Sequence, residues 1–121
     1  MKKESFKEVE KIWGEEIWLV NSPLYCGKLL LLDRDAESSY HFHENKTETF
    51  YAIEGYAVLT VDGKEHMLAP FARPKTISPQ EKHKFKGITE CVILEMSTYH
   101  DDKDVMRLSE SCSVKINTIL E

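Results

Sequence analysis

The chain has 121 residues, of which 41% are hydrophobic and 31% charged, and its net charge is −5. This composition is that of an ordinary globular domain and excludes a disordered or fibrous chain. The scattered basic residues argue against a nucleic-acid partner, and no apolar run approaches the roughly 20 residues of a membrane-spanning helix. We therefore expect one domain over residues 1–121, with no nucleic-acid or membrane partner and no secretory signal or anchor.

The cysteines indicate a reducing environment. Cys26, Cys91 and Cys112 form no close-spaced pair, and their odd number leaves at least one thiol unpaired within the chain. A cytoplasmic location is the simplest one for such thiols. None lies beside a histidine or in a CxxC motif, so we expect small buried hydrophobes or inert surface thiols.

Short β-type segments follow one another along the chain, separated by turn residues. In chain order they are EEIWLV, YCGKLLLLD, SSYHFH, ETFYAI, YAVLTV, KEHMLA, PKTIS, KHKFKG and ECVILEM. These segments predict about nine strands. Helical signal is weak outside the first ten residues and the part after Arg107, where we expect at most a short helix or turn. The pattern favours an all-β sandwich or barrel over a βαβ fold.

Two dipeptides predict tight reversals. Glu54-Gly55 and Asp62-Gly63 each separate apolar-rich runs, and glycine accepts the positive φ that two-residue hairpins require. We therefore predict that ETFYAI, YAVLTV and KEHMLA form an antiparallel meander.

The stretch YHFHENKTETFYAIEG has the composition of a metal site. Alternate side chains of a strand share a face, so His41 and His43 should project together, about 7 Å apart. Glu48 opens the next strand and can return to meet them. Three ligands on adjacent strands would leave positions open for a substrate. Phe50 lies two residues further along the same face.

A fourth ligand should come from elsewhere in the chain. His83 is the best placed, because it follows a strand end, a proline and a short turn, and begins a strand that can lie across the barrel. His66 is expected to face solvent or the core, and His100, in a charged loop, to be exposed. Three imidazoles and a carboxylate accept one divalent transition metal, which could be Mn, Fe, Co, Ni or Zn.

These residues resemble a known family. HFHENKTETFYAIEG matches the spacing of the first conserved motif of the cupins, which is HxH, four residues, Glu, six residues and Gly. ISPQEKHKFKG resembles the second motif more loosely, with Gln80 in place of the usual glycine. The resemblance implies a cupin β-barrel, a double-stranded β-helix of the jelly-roll type, with little helix. It also implies metal ligation by His41, His43, Glu48 and His83.

Further segments resemble one branch of the cupins. VEKIWGEEIWLVN, GKLLLL and STYHDDKDVMRL are similar to D-lyxose isomerases and type II mannose-6-phosphate isomerases. The resemblance covers residues 9–108, which we take as the metal-binding barrel, and leaves a C-terminal tail of residues 109–121. It implies a metal-dependent aldose–ketose isomerase of a sugar or sugar phosphate, in which the metal stabilises an enediolate.

Such an isomerase also needs a base within reach of the substrate carbon. Glu95 and Lys28 are the candidates, because both stand at positions that resemble polar positions of the isomerase branch; an outward surface charge is the alternative for each. Lys46 is at a position often basic in that branch, but we expect a solvated turn lysine. Arg107 could bind a phosphate or carboxylate, although we favour a structural clamp with a nearby aspartate.

Two other functions stay open from the sequence. Three histidines and one glutamate with open positions also suit Fe or Ni activation of O₂, as in a cupin dioxygenase. A sugar-binding module without turnover is the third hypothesis, because a chain of 121 residues has little extra sequence with which to build a lid over the site.

A homodimer is the expected assembly. A small barrel with exposed strand edges gains by pairing them with a second copy, and cupins are commonly dimeric. The tail offers a candidate edge, because Val114, Ile116 and Ile119 recur among its last residues.

Overall fold

The computed structural model describes residues 6–113, and strands dominate this range. They are β1 (Lys7–Lys11), β2 (Gly14–Asn21), β3 (Cys26–Leu32), β4 (His41–His43), β5 (Glu48–Glu54), β6 (Ala57–Val61), β7 (Lys64–Leu68), β8 (Lys75–Ile77), β9 (His83–Gly87), β10 (Cys91–Ser97) and β11 (Val105–Arg107). The helical element of this range is one 3₁₀ turn, Asp102–Asp104. No helix in residues 6–113 is long and apolar enough to cross a membrane. The predicted all-β fold with little helix is confirmed.

All nine predicted strands are present, and β1 and β11 are additional. Within the first ten residues, where a short helix or turn was expected, the described part from Lys7 onward belongs to the strand β1 instead. Its sequence, KEVEK, has low intrinsic strand propensity. The segment forms a strand because it pairs with β2. Every residue of β1 has a registered partner there, from Lys7↔Trp18 to Lys11↔Gly14. After Arg107, the described residues form turns and one isolated bridge between Glu37 and Cys112, without a helix. Val114, Ile116 and Ile119, the candidate edge of a dimer, lie outside the described residues.

The strands form two antiparallel sheets. Sheet A has the order β1-β2-β3-β10-β5-β8, and sheet B has the order β11-β4-β9-β6-β7. Large apolar side chains of both sheets form one core, which includes Leu30, Leu32, Phe50, Leu59, Phe85 and Ile93. The two sheets therefore pack face to face around a shared interior.

Only one of the two predicted hairpins exists. Asp62 (φ +47°) and Gly63 (φ +84°) join β6 to β7 in a tight reversal, as predicted. Gly55 also has a positive φ, and a side chain there would collide with the Glu90 carbonyl oxygen. However, β5 pairs with β10 and β8, whereas β6 pairs with β9 and β7. The predicted meander is therefore wrong at Gly55, where the chain passes from sheet A to sheet B.

Residues of the three central strands of sheet A alternate between the interior and the outside over most of their length. Every second residue is buried along the whole of β3, from Glu48 to Ala52 on β5 and from Cys91 to Glu95 on β10. Toward one end of these strands the inward side chains are polar, namely Lys28, Glu48 and Glu95, and Glu95 is the registered partner of Lys28. The barrel interior is thus apolar at one end and charged at the other.

Candidate metal centre

Three histidines meet on the inner face of sheet B. His41 and His43 project together from β4, with ring centroids 5.3 Å apart. His83, the first residue of β9, is the registered partner of His41. One nitrogen from each ring lies within 4.8 Å of those of the other two. This separation is close to the roughly 4 Å between opposite ligands on one ion with bonds of about 2.1 Å.

Glu48 approaches this group from the opposite sheet. Its Oε2 lies 3.1 Å from His83 Nε2 and 3.6 Å from His43 Nε2. The structure therefore brings together the four residues predicted as ligands, but in a different arrangement. His83 lies beside His41 in the same sheet rather than across the barrel, and Glu48 is the residue that faces the others. The cause is the crossing between sheets, since β4 belongs to sheet B and β5 to sheet A.

The donor atoms of this cluster fit a metal ion. His83 Nε2, Glu48 Oε2 and His43 Nδ1 are buried and have no assigned hydrogen bond among the described residues, although His83 Nε2 and Glu48 Oε2 form an ion-pair contact at 3.1 Å. An unpaired buried polar atom costs about 1–3 kcal/mol. Three imidazoles that each bring a nitrogen within 4.8 Å of the others, next to a buried carboxylate, form a donor set that a divalent transition metal binds.

Backbone carbonyls orient two of the rings. His41 Nδ1 lies 2.8 Å from the Ser39 carbonyl oxygen, and His83 Nδ1 lies 2.9 Å from the Glu81 carbonyl oxygen. A carbonyl only accepts, so each Nδ1 must donate its proton. In the neutral ring the Nε2 lone pair is then left for a metal.

The electrostatics of the metal-free cluster favour the ligand forms of His41, His43 and Glu48, whereas His83 is shifted toward its protonated form, whose proton a metal would have to displace. Burial lowers the pKa of His41 to about 3 and that of His43 to about 4, so both rings are neutral at neutral pH. Burial alone would raise the pKa of Glu48, but His83 and Lys46 hold it well below its usual range. Burial alone would likewise lower the pKa of His83, and the Glu48 carboxylate raises it instead.

We expect the metal-free protein to lose stability between about pH 6.5 and pH 4. In that window unfolded His41 and His43 bind protons that the folded rings refuse, so acid favours unfolding. The raised pKa of His83 does not oppose this fall, because its contribution is complete below its unfolded value and is lost only at higher pH. Urea unfolding in chelator at pH 6.5 and 4.5 measures the effect. The variant H43Q should show a smaller drop, and equal drops in both proteins would contradict the assignment.

Lys46 is buried, contrary to the prediction of a solvated turn lysine. It is 2% exposed. Its Nζ lies 2.7 Å from Glu95 Oε2, 3.4 Å from Glu48 Oε1 and 2.9 Å from His100 Nδ1. The turn carrying Lys46 is fixed from outside, because the Asn45 backbone N–H and side chain both donate to the Asp104 carboxylate. Lys46 therefore bridges the candidate metal ligand and the candidate base.

His100 was predicted to be exposed, and this is also wrong. Its side chain is 11% exposed and its ring lies 5.1 Å, centroid to centroid, from that of Trp18. Asn21 holds the backbone of His100 with two hydrogen bonds. With Nδ1 accepting from the Lys46 ammonium, Nε2 donates to Asp102 Oδ1 at 2.8 Å. Burial, and then the Lys46 cation, lower the pKa of His100, which agrees with a neutral ring.

Glu95 and Lys28 both point inward, so an outward surface charge is wrong for both. Glu95 Oε2 accepts from Ser97 Oγ at 2.8 Å, in addition to its contact with Lys46. Lys28 Nζ lies 3.3 Å from Glu16 Oε1 and 4.2 Å from the centre of a Trp18 ring. A cation over an aromatic face is attracted by the ring quadrupole.

These groups surround a cavity of about 100 Å³. Its lining joins the four candidate ligands to Lys28, Lys46, Glu95, His100, Leu30, Phe50, Phe85, Lys11, Asp102 and Arg107, among others. Arg107 is the registered partner of His41 and forms no ion pair with any residue in 6–113, so the favoured clamp is absent from this range. His66 lies half-buried on β7, outside the histidine cluster.

No protein-family model matches the sequence, and no match was found among curated proteins. Solved structures do match. KdgF from Halomonas sp. is 13% identical with a TM-score of 0.72, covering 84% of this chain and 94% of KdgF. CapF, a capsular polysaccharide assembling protein from Staphylococcus aureus, is 15% identical with a TM-score of 0.76, covering 86% of this chain. This chain spans about a third of the length of CapF, since the match covers 34% of it.

Pac13 from Streptomyces, a nucleoside dehydratase, is 15% identical with a TM-score of 0.72. The match covers 93% of this chain and 91% of Pac13. At such low identities these likenesses bear on the fold. Together with the two sheets and their order, they show that the chain has the β-barrel fold of the cupins.

Proposed function

We propose that the chain is a metal-dependent enzyme that interconverts an aldose and a ketose, free or phosphorylated. The observation that carries this proposal is the pairing of two features in one cavity. One is the cluster of His41, His43, His83 and Glu48, with its unpartnered donor atoms. The other is Glu95, a buried carboxyl group beside it. A divalent ion bound by the cluster would act as a Lewis acid toward the carbonyl and adjacent hydroxyl oxygens of a sugar.

The side chains of this cavity supply the proton transfer. Glu95 is the base that takes the proton from the carbon next to the carbonyl and returns it to the neighbouring carbon. The Lys46 ammonium and the Ser97 hydroxyl both bind Oε2 of Glu95, which fixes the orientation of its carboxyl group. Lys28 is the second candidate for the base. In its protonated form its ammonium group would instead donate a hydrogen bond to a substrate oxygen.

The solved neighbours support a carbohydrate substrate. Pac13 is a nucleoside dehydratase and has been solved with uridine, and CapF assembles a capsular polysaccharide. A nucleoside and a polysaccharide both contain sugar units. The likeness extends over 86% of this chain for CapF and 93% for Pac13.

Arg107 is expected to favour phosphorylated sugars. The cavity lining contains four Lys or Arg side chains and four carboxylates, so a divalent ion would leave it positively charged. Replacing Arg107 by methionine should raise the KM for a sugar phosphate at least about tenfold, the scale of one lost charge-assisted hydrogen bond. The exposed Lys103, replaced in the same way, is the control. Equal KM values in wild type and R107M would contradict this role.

A sugar panel tests the proposed reaction. Chelator-treated protein is reloaded separately with Mn, Fe, Co, Ni or Zn and incubated with mannose 6-phosphate, fructose 6-phosphate, lyxose and related sugars. Proton exchange with D₂O at the carbon next to the carbonyl, followed by NMR, reports enediolate formation. We expect exchange and conversion with at least one sugar and one metal, and a loss of about 100-fold or more in E95Q. No exchange with any sugar would overturn the proposal.

Dehydration of a sugar carried by a nucleoside is a second candidate, favoured by the likeness to Pac13 over nearly the whole of both chains. Uridine and its phosphates therefore belong in the same panel, with loss of water detected by mass. Oxygen consumption by the iron-loaded protein would identify a dioxygenase instead. Saturable sugar binding without turnover, unchanged in E95Q and K28M, would identify a binding module.

A further inference from the structure

Two loops at the charged end of the barrel are joined at both of their ends. One is the turn that carries Lys46, and the other is the segment that follows β10. At one end the Thr98 N–H donates to the Thr47 carbonyl oxygen at 3.0 Å, and the Thr47 N–H donates to Thr98 Oγ1 at 3.1 Å. At the other end the Glu44 N–H donates to the Asp104 carbonyl oxygen at 3.2 Å. The two loops therefore lie side by side.

Lys46 and His100 are the side chains through which these loops meet inside the barrel. Lys46 Nζ lies 2.9 Å from His100 Nδ1. An ammonium group only donates, so Nδ1 must be the accepting nitrogen of the ring. His100 Nε2 then carries the proton and donates to Asp102 Oδ1 at 2.8 Å. One tautomer of the neutral ring thus satisfies both of its neighbours.

The Lys46 ammonium group has one acceptor for each of its three protons. The acceptors are Glu95 Oε2 at 2.7 Å, His100 Nδ1 at 2.9 Å and Glu48 Oε1 at 3.4 Å. The first two distances are those of hydrogen bonds, whereas 3.4 Å lies outside the usual range. Lys46 is therefore bound closely to the proposed base and to His100, and only loosely to the candidate metal ligand.

We propose that His100 is a positioning residue, which holds the Lys46 ammonium group against the carboxyl group of Glu95. This role rests on the proposed function, in which Glu95 is the base. The carboxylates of Glu48 and Glu95 attract the same cation, so without a third partner Nζ would be free to move toward Glu48. A neutral imidazole supplies that partner without adding negative charge to the cavity. The base then keeps one orientation toward the substrate carbon.

His100 is itself held from three directions. The Asn21 side chain accepts from the His100 N–H at 2.8 Å and donates to the His100 carbonyl oxygen at 3.0 Å. The ring packs edge-on against Trp18, with centroids 5.1 Å apart and an angle of 77° between the planes. Asp102, which binds Nε2, lies in the 3₁₀ turn capped by Asp101. A residue can orient its neighbour only if its own rotamer is fixed, and these contacts fix it.

Holding the two loops together does not require this ring. The hydrogen bonds that join the loops at their ends involve neither of its nitrogens. Asn21 binds only the backbone of His100, so any side chain at this position keeps those two bonds. The hydrogen bonds of the ring itself are an acceptor for Lys46 and a donor to Asp102. Two variants separate these contributions.

H100N and H100Q each keep a different one of the two hydrogen bonds. The asparagine amide oxygen lies near the place of Nδ1 and can accept from Lys46. The glutamine amide reaches the place of Nε2 and can donate to Asp102. We expect H100Q to lower kcat by about 10- to 100-fold, because a misplacement of about 1 Å costs up to about 100-fold. H100N should recover most of this loss.

KM and a neighbouring variant complete the kinetic test. Because His100 acts through Lys46, KM should change by less than about threefold in H100N and H100Q. D101N is the control, since it alters the same loop and asparagine caps a helical turn as well as aspartate does. It should have the kcat of the wild type. Circular dichroism checks that each variant is folded.

Nitrogen-15 NMR of the chelator-treated wild type tests the geometry without any turnover. We expect His100 to be unprotonated at Nδ1 and protonated at Nε2, the tautomer that the Lys46 and Asp102 contacts require. This measurement needs no substitution, so it decides the matter even if a variant fails to fold.

Four results would overturn the proposal. They are a His100 ring protonated at Nδ1, an H100Q variant with the kcat of the wild type, a kcat lower in H100N than in H100Q, and a loss confined to KM. The third is the order expected if the bond to Asp102 were the one that matters. A wild type without proton exchange on any sugar would instead refute the proposed reaction, and the NMR measurement would still decide whether His100 binds Lys46.

Discussion

Replacing His83 by glutamine should remove metal binding and catalysis together while leaving the barrel folded. Glutamine has nearly the same length but no imidazole lone pair, and Glu48 Oε2 would lose the nitrogen that lies 3.1 Å away. Wild type loaded with metal and then desalted should retain about one ion per chain. H83Q should bind the metal at least about 100-fold more weakly than the wild type. Replacing a residue that only hydrogen-bonds to a metal ligand already lowers metal affinity by about 10–100-fold. Elemental analysis after size exclusion measures the ratio.

His66 provides the control for this variant, because it lies outside the cluster. H66Q should retain metal and activity. Metal should also stabilise the wild type against heat, by about 2.7 kcal/mol when free metal is 100 times its dissociation constant. That stabilisation should vanish in H83Q. Full metal occupancy in H83Q would show that the ion binds at another site.

Replacing Lys46 by methionine should destabilise the protein more than any surface change. The ammonium group contacts Glu48 and Glu95, and all three side chains are almost fully buried. Removing one partner of a buried charge network leaves unpaired charge inside the barrel, at a cost of about 3–5 kcal/mol. Urea unfolding of chelator-treated protein measures the loss.

Lys103 is the matched control for Lys46, because it is exposed and lies close in space to the same loops. K103M should change the free energy of unfolding by less than about 0.5 kcal/mol. Added metal should restore part of the stability of K46M, since the ion would replace one positive neighbour of Glu48. A loss below about 1 kcal/mol in K46M would show that solvent reaches these carboxylates despite their burial.

The candidate ligands could be predicted because their placement depends on short-range geometry. The alternation of a strand places His41 and His43 on one face, and the four-residue turn returns the chain to Glu48. His83 required only the start of another strand. The sheet to which each candidate ligand belongs could not be predicted. Gly55 has the positive φ of a hairpin, yet it joins strands of two different sheets. A local signal specifies a bend, and tertiary pairing decides which strands meet.

The burial of Lys46 and His100 could not be read from the sequence for a related reason. Both lie in polar stretches, and the residues that fix them are remote in the chain. Asn45, beside Lys46, is tied to Asp104, 59 positions away, and His100 is tied to Asn21, 79 positions away. Polar stretches are buried only when such distant partners satisfy them.

The division of the cluster between the two sheets has a consequence for exchange kinetics. Three donors belong to sheet B and one to sheet A, so a bound ion would be a cross-link between the two halves of the barrel. Release of the ion would then require the halves to separate locally, and metal exchange would be limited by this opening. Adding metal should slow the exchange of amide protons with solvent in β4, β5 and β9, and the factor should be the same in all three strands. Metal capture would accordingly be easiest before the barrel has closed, during folding of the chain.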